Sequence, residues 1–180
     1  MINMAKRPIK ILELCHYSAG GCGVWARAKQ ESELLAKRGH KVLILSSNIE
    51  KGSNKIVCNK ESIGDIKIQR FPAKQLGGES FMSWFNKKGM QKAINFQPDI
   101  IIAHNYRHLH TTKALKLAKI LKKQGKKCKV FLVTHAPFVE GNITRTKIQT
   151  ILVNFYDNLI GPKILNKFDK ILAISNWEIP

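Results

Sequence analysis

Acidic residues are scarce in this 180-residue chain, which carries 12 Asp and Glu against 31 Lys and Arg. The formal charge of +19 repels itself unless an anionic partner is near. The candidate partners are an anionic membrane face, a phosphorylated ligand, a nucleic acid and an acidic protein. The alternative is a lysine-rich surface that serves only solubility.

The four cysteines, at positions 15, 22, 58 and 128, form no Cys-x-x-Cys pair. This spacing indicates neither a structural zinc site nor a thioredoxin-like redox motif. No apolar run reaches the length needed to span a bilayer. The amino-terminal residues also lack the pattern of a secretory signal, so we expect a cytoplasmic protein.

The chain does contain a regular alternation of apolar runs and amphipathic segments. Its hydrophobic fraction of 44% excludes general disorder, and its length suits one domain over residues 1–180. We predict strands at 9–15, 41–46, 65–71, 100–104, 129–134 and 169–175, and a short extra strand at 56–58. We predict helices at 23–38, 80–96, 108–124 and 144–168, the last bent at Gly161-Pro162.

This alternation implies parallel strands, right-handed crossovers and helices on both faces of the sheet. We therefore predict the α/β class, with a Rossmann-like doubly wound parallel sheet in the strand order 3-2-1-4-5-6. Ligands on such a sheet bind beyond the carboxyl ends of the strands, at the switch point between strands 1 and 4. The residues that follow each strand are therefore the candidate site.

A glycine-rich turn, Gly21-x-Gly23-x-x-Ala26, follows the first strand and has the outline of a dinucleotide-binding fingerprint. Its glycines would let backbone N–H groups approach a phosphate at a helix N-terminus. The long loop before the turn, and the lack of an acidic residue after the second strand, weigh against NAD or FAD. A tight turn without a ligand is the alternative.

Two other constellations have both a functional and an ordinary interpretation. His104, His108 and His110 imitate a metal site, but they straddle a strand end and a helix start, so we predict no metal. A run of aromatic residues leading into lysines suits a helix lying in a membrane interface, and a core-packed helix start is the alternative. The predicted membrane-contact residues are Phe81, Trp84, Phe85, Lys87 and Lys88.

Four segments together resemble a known family. The opening IKILELCHYSAGGCGVWARAKQESELLAKRGHKVLILSS is similar to the start of GT-B glycosyltransferases, in particular the retaining family 4. PDIIIAH at 98–104, VTH at 133–135 and DKILAIS at 169–175 resemble later strands of that family, in the same order. The resemblance covers nearly the whole chain.

The resemblance implies the N-terminal, acceptor-side half of a GT-B fold. In the family a C-terminal domain, which this sequence does not include, binds most of the nucleotide sugar. That sugar is a donor substrate, and no cofactor is implied. The whole protein would be a glycosyltransferase of the hexosyltransferase type, and this chain alone would be inactive or nearly so. Because several relatives use lipid-linked acceptors, we expect a lipid or glycolipid acceptor and a peripheral position at the inner face of the cell membrane.

The resemblance also assigns roles to individual residues. His135 would be catalytic, beside the transferred sugar, and Gly20, Gly21 and Gly23 would face the donor phosphates. The predicted acceptor-binding residues are His16, His104, Asn105, Arg107 and Ser175.

Two alternatives stay open. The chain could be a non-catalytic subunit that docks on a membrane and recruits a second glycosyltransferase chain. It could also be a basic domain that binds nucleic acid or another polyanion, although no recognised nucleic-acid motif is present.

Overall fold

The computed structural model describes residues 7–53, 55–76, 79–82, 87–135 and 146–174, of which 74–76 and 79–82 are described by their backbone alone. Strands in these ranges are β1 Lys10–Leu14, β2 Lys41–Ser47, β3 Lys60–Ile63, β4 Ile66–Phe71, β5 Lys74–Leu76, β6 Glu79–Met82, β7 Ile100–His104, β8 Lys129–Val133 and β9 Lys170–Leu172. The helices are α1 Gly23–Lys37, α2 Lys87–Phe96, α3 Leu109–Lys123, α4 Lys147–Phe155 and α5 Gly161–Leu165, and a π-helical segment, Tyr156–Ile160, joins α4 to α5.

One seven-stranded sheet organises the domain, in the order β3-β4-β2-β1-β7-β8-β9. The six predicted strands correspond to β1, β2, β4, β7, β8 and β9, and every neighbouring pair among them is parallel. The predicted α/β class and the order 3-2-1-4-5-6 are therefore confirmed.

The central strands are buried on both faces because successive side chains point to opposite sides of the sheet. Leu12 and Leu14 of β1 belong to a core cluster with Leu117 of α3. Ile44 of β2 packs with Ala28 of α1 in a separate cluster. Both α1 and α3 end at a glycine in the left-handed region, Gly39 with φ +83° and Gly125 with φ +78°, which is why the chain can turn back into the next strand there.

The extra strand differs from the prediction. Residues 56–58 contribute only a single bridge, between Ile49 and Ile56, whereas β3 pairs antiparallel with β4. Ile63 pairs with Ile66, so Gly64 and Asp65 form a two-residue hairpin turn, with Gly64 at φ +53°. Such a turn matches the twist of the strands on either side, and this explains why pairing extends from the turn back to Lys60.

The predicted helix at 80–96 is wrong over its first part. Glu79–Met82 forms β6, which pairs antiparallel with β5, and α2 begins only at Lys87. Two glycines, at positions 77 and 78, separate the paired strands, a sequence typical of a hairpin. Among the predicted membrane-contact residues, Phe81 therefore lies in a strand, Lys87 and Lys88 are exposed in α2, and Trp84 and Phe85 lie outside the described residues.

The last helical region is divided where a bend was predicted. The π-helical segment ends at Ile160, and α5 starts with Gly161-Pro162. Gly161 is buried, and the ring of Tyr106 occupies the space that a side chain would need. Over the parts of the chain that the structure describes, no helix is both long enough and apolar enough to cross a membrane.

The contact between Gly161 and Tyr106 predicts the effect of a single methyl group. In Gly161→Ala the new carbon would overlap with the Tyr106 hydroxyl and lie 3.2 Å from its ring carbon Cζ, and Tyr106 is buried. We expect a loss of about 1–3 kcal/mol in the free energy of unfolding, measured by urea denaturation. Gly23→Ala is the matched control, because nothing lies within 4 Å of its added carbon. Equal stability of the two variants would contradict the packing described here.

Candidate active site

Five of the six histidines lie at one end of the sheet. His16 follows β1, His104 ends β7, and His135 lies just beyond β8. Because these parallel strands are neighbours, their carboxyl ends meet at the same edge. The structure places the described members of the predicted site at this edge, and Ser175 lies outside the described residues. Those members are His16, Gly20, Gly21, Gly23, His104, Asn105, Arg107 and His135.

The three glycines of the turn have different surroundings. Gly20 has φ +80° and packs on the backbone of Lys51, whose nitrogen would lie 2.8 Å from an added side-chain carbon. Its lack of a side chain is therefore explained by packing within the protein. Gly21 and Gly23 are exposed, and nothing lies within 4 Å of an added carbon at either one.

The exposed part of this turn leads directly into the N-terminus of α1. Cys22, the residue before the helix, makes no side-chain cap, and the first turn contains no acidic residue. Neither Cys22 nor an acidic residue of the first turn thus provides a side-chain acceptor for the first backbone N–H groups of the helix. A helix start of this kind favours an anion through its hydrogen-bond donors and its dipole.

A chain of hydrogen bonds connects His135 to the interior. His104 Nδ1 lies 2.9 Å from His135 Nε2, and His104 Nε2 lies 2.7 Å from Glu13 Oε2. Glu13 and His104 are both 0% exposed. Sequence reasoning missed Glu13, although an acidic residue within the apolar strand KILEL was the signal that could have found it.

Burial determines whether the hydrogen-bonded residues Glu13 and His104 are charged. It raises the pKa of Glu13 from 4.5 to about 8, with a smaller opposing effect of the Arg27 charge. It lowers the pKa of His104 from 6.5 to about 4, while the charge of Glu31 acts in the opposite direction. Both groups are therefore neutral at pH 7. His104 cannot line an open pocket at 0% exposure, so any effect it has on a substrate passes through His135.

A second cluster surrounds His16. The Asn105 side-chain nitrogen lies 3.0 Å from His16 Nδ1, and the ring of His16 stacks on that of His108 at a centroid distance of 4.6 Å. His16 is buried, and burial together with the neighbouring histidines lowers its pKa. The ring is therefore neutral and accepts a hydrogen bond from Asn105. The structure thus joins two of the predicted acceptor-binding residues.

Arg107 has a partner that the sequence did not indicate. Its guanidinium makes two hydrogen bonds with the carboxylate of Asp157, one of them 2.8 Å long, and it lies over the Tyr106 ring. This pair attaches the loop after β7 to the π-helical segment. A role for Arg107 in acceptor binding would therefore require it to act alongside Asp157.

Three non-glycine residues at this edge adopt a left-handed backbone. They are Asn105 with φ 72°, Arg107 with φ 67° and His135 with φ 53°. Such conformations are uncommon outside glycine and concentrate at functional sites, where the surrounding structure maintains them.

Arg70 holds Ser18, at the start of the glycine-rich turn, and it was not predicted from the sequence as a site residue. Its buried guanidinium donates to Ser18 Oγ at 2.7 Å, to the Ser18 carbonyl at 2.9 Å and to the Cys58 carbonyl at 2.9 Å. It also pairs with Glu61 of β3. Arginine in an alternating strand normally faces solvent, so the sequence alone gave no reason to place it inside.

Glu13, Glu31 and His104 form the one group in the described ranges whose geometry could hold a metal ion, with candidate ligand atoms within 4.8 Å of one another. An ion there would have to replace the hydrogen bond between Glu13 and His104 and take the proton from Glu13. This group differs from the set His104, His108 and His110, for which the sequence predicted no metal, and hydrogen bonding already accounts for the contact between Glu13 and His104.

The pKa values predict how stability depends on pH. Glu13 stabilises the folded state fully below pH 4.5, and this contribution is lost as the pH rises to about 8. His104 acts in the opposite sense, because its contribution is regained between about pH 4 and 6.5. Between pH 6.5 and 8, only Glu13 of these two residues still makes the free energy of unfolding depend on pH.

We therefore expect the free energy of unfolding of Glu13→Gln to change less with pH than that of the wild-type chain. From pH 6.5 to 8 the wild-type chain should lose about 2 kcal/mol more in the free energy of unfolding than the variant, measured by urea denaturation. Parallel profiles for the two proteins would show that Glu13 does not carry a proton at neutral pH.

Comparison with known proteins agrees with this fold. Residues 21–179 match glycosyltransferase family 4. No curated protein has a significant match to the sequence.

Solved structures resemble the chain at low identity. An alpha-glucosyltransferase in complex with UDP and a 13-mer DNA is 14% identical, with a TM-score of 0.49, and the match covers 92% of this chain and 38% of that one. The catalytic domain of starch synthase IV from Arabidopsis thaliana, bound to ADP and acarbose, is 10% identical, with a TM-score of 0.46 and coverages of 71% and 34%. An E. coli structure described as trehalose-6-phosphate bound with UDP-2-fluoro glucose is 16% identical, with a TM-score of 0.44 and coverages of 90% and 39%.

The chain thus spans well under two thirds of these proteins, 38% in the first case. The family match, by contrast, covers residues 21–179 of the 180-residue sequence. The predicted resemblance is confirmed, and the chain belongs to glycosyltransferase family 4.

Proposed function

We propose that this chain is the N-terminal, acceptor-binding domain of a retaining glycosyltransferase that transfers a sugar from a nucleotide sugar to a membrane lipid or glycolipid. One observation carries the proposal: His135, joined by hydrogen bonds to buried His104 and Glu13, lies at the same sheet edge as the open turn at Gly21 and Gly23. An oriented imidazole near an anion-binding helix start suits transfer from a phosphate leaving group.

The residues would divide the work as follows. His135 would hydrogen-bond the transferred sugar, and the N–H groups of α1 near Gly21 and Gly23 would face the donor phosphates. His16 and Asn105, which contact each other, would support the acceptor side. A second domain would hold most of the donor and the remaining catalytic groups, so this chain alone would transfer sugar poorly.

An exposed apolar stripe supports the membrane part of the proposal. Within α4 and the π-helical segment, large apolar side chains recur at helical spacing, yet Ile148 is 72% exposed and Ile151 is 67% exposed. The stripe consists of Ile148, Ile151, Leu152, Phe155 and Leu159. Apolar residues on a helix of a strongly basic protein are typical of contact with an anionic membrane surface. The stripe supports the proposal that the protein acts at a membrane surface, and we propose the cytoplasmic face.

A lysine-lined groove favours the polyanion alternative. It lies between α3 and the end of α5 and has a volume of about 1000 Å³. Its two acidic residues, Asp99 and Asp169, are paired with Lys126 and Lys129. The lysines that line it are Lys116, Lys119, Lys122, Lys126, Lys127, Lys129 and Lys167. Binding there would suit either a polyanion-binding domain or a non-catalytic docking subunit of a split transferase.

Charge at the glycine-rich turn provides a test of donor binding. Gly21→Asp should weaken the binding of a nucleotide sugar such as UDP-glucose, ADP-glucose or GDP-mannose about fivefold, because a carboxylate at the start of α1 repels phosphate. Gly21→Asn is the matched control, since it has the same size without the charge, and nothing lies within 4 Å of the site. The measurement is NMR titration of the ¹⁵N-labelled chain, following the amides of Gly21, Gly23 and His135.

Two outcomes of that titration would count against the proposal. Equal effects of Asp and Asn would mean that the helix start does not bind the phosphates. Shifts confined to the lysine-lined groove would favour the polyanion alternative, because any phosphate compound would then bind through charge alone.

The exposed stripe predicts membrane binding. We expect the chain to bind vesicles of phosphatidylglycerol and phosphatidylcholine, and Ile148→Ser with Ile151→Ser to weaken this binding about tenfold in a flotation assay. Asn154→Ser with Asn158→Ser is the control, because these residues of the same helical region are exposed and polar and take no part in the capping box between Thr146 and Gln149. If both pairs of substitutions have the same effect, the stripe is not the membrane contact.

A further inference from the structure

Glu13 and His104 form a buried pair between neighbouring strands. Glu13 lies opposite Ile102 in the pairing of β1 with β7, so His104, two residues further along, lies on the same face of the sheet. Both side chains are 0% exposed and 2.7 Å apart, and the other ring nitrogen of His104 lies 2.9 Å from His135. Among the described residues, His135 thus connects the pair to the carboxyl edge of the sheet.

Burial lowers the pKa of His104 to about 4, so its ring is neutral at pH 7, and two arrangements of protons with a neutral His104 fit these distances. In the first, Glu13 is a carboxylate that accepts from His104 Nε2–H, and His104 Nδ1 accepts from His135 Nε2–H. In the second, Glu13 is a neutral acid that donates to His104 Nε2, and His104 Nδ1–H donates to His135 Nε2. The two arrangements leave His135 with opposite tautomers.

The surroundings of Glu13 favour the neutral acid. Its second oxygen, Oε1, is buried and has no hydrogen-bond partner among the described residues. The carboxyl group of Glu31 lies within 4.8 Å, so an ionised Glu13 would face a like charge. Arg27, whose charge acts on Glu13, has a side chain that is 57% exposed and lies 3.8 Å from Glu31. A buried carboxylate without a paired cation is strongly unfavourable.

We infer that Glu13 and His104 are positioning residues that hold His135 as the neutral tautomer with its proton on Nδ1. His135 then acts on the sugar or its acceptor as a hydrogen-bond donor through Nδ1–H, and its Nε2 cannot serve as a base while it accepts from His104. This inference deepens the proposed function and rests on it for the identity of the substrate.

The charged groups around Glu13 act in opposite directions: the charge of Arg27 lowers the pKa of Glu13, whereas Glu13 and Glu31 oppose each other's ionisation. Glu31 and Arg27 of α1 and Cys15 at the end of β1 are the titratable neighbours that act on Glu13 or are acted on by it. Burial raises the pKa of Glu13 to about 8 and that of Cys15 well above its ordinary value, so the acid and the thiol both keep their protons at pH 7.

The tautomer can be read directly on the 180-residue chain. Long-range ¹H–¹⁵N correlation spectra at pH 7, with His104→Gln and His135→Gln used for assignment, should show both rings protonated at Nδ1 and unprotonated at Nε2. Protonation at Nε2 in both rings would overturn the inference, because it would make Glu13 a carboxylate.

Two substitutions of Glu13 separate hydrogen bonding from packing. Glu13→Gln still donates an N–H to His104 and should leave the His135 pattern unchanged. Glu13→Leu has a similar volume but no donor, so His135 should return to a mixture of tautomers. Glu31→Gln is the control and should have no effect, because it removes the neighbouring carboxyl group but no member of the chain. An unchanged spectrum in Glu13→Leu would show that Glu13 does not position His135.

Activity of the full-length enzyme provides the second readout. We expect Glu13→Gln to keep kcat within about threefold, and Glu13→Leu to lower kcat about tenfold with little change in KM. Equal losses of kcat in both variants would contradict the inference. The absence of transfer by the wild-type enzyme from any nucleotide sugar would count against the proposed function alone, since the tautomer of His135 is measured without a substrate.

Discussion

The hydrogen bond between Glu13 and His104 joins β1 to β7 at the centre of the sheet, where water does not reach. Leaving either partner unpaired there would cost more than the bond itself contributes. The bond also depends on the strand register, because a shift of one residue would move Glu13 to the opposite face. The geometry of the site at the sheet edge therefore depends on the register of the innermost strands, because His135 is hydrogen-bonded to the buried His104.

Charge is unevenly distributed between the two ends of the sheet. At the carboxyl edge burial keeps His16 and His104 neutral and Glu13 protonated, and the two arginines described there, Arg70 and Arg107, are paired with Glu61 and Asp157. Much of the positive charge lies elsewhere, as in the groove beside α3. A basic surface of this kind attracts anionic partners over long distances.

The sequence predicted the parts of the fold that depend on local patterns. Apolar runs located the six parallel strands, and Gly39 and Gly125 located the ends of α1 and α3. The pairing of β5 with β6 was missed because Phe81 and the aromatic residues that follow it in the sequence also fit a helix start when the two preceding glycines are taken as a linker.

The position of the candidate site could be predicted from the sequence, but the hydrogen bonds and ion pairs between its side chains could not. The rule that ligands bind at the carboxyl ends of parallel strands identified His16, His104 and His135. The pairs that define their chemistry, such as Glu13 with His104 or Arg107 with Asp157, join residues 91 and 50 positions apart. Which side chains meet over such separations depends on strand register and helix placement, and neither is written in any local pattern.

The π-helical segment at Tyr156–Ile160 gives the last helical region two different faces. A π-helical turn adds one residue to the α-helical repeat and so rotates the side chains that follow it by about 100°. Before the insertion the apolar residues face solvent, and after it Leu165 and Phe168 pack on the core. A chain one residue shorter here could continue as a regular α-helix, but then only one of the two sets of side chains would meet its proper surroundings. The length of this segment thus determines both which apolar residues face solvent before it and which residues pack on the core after it.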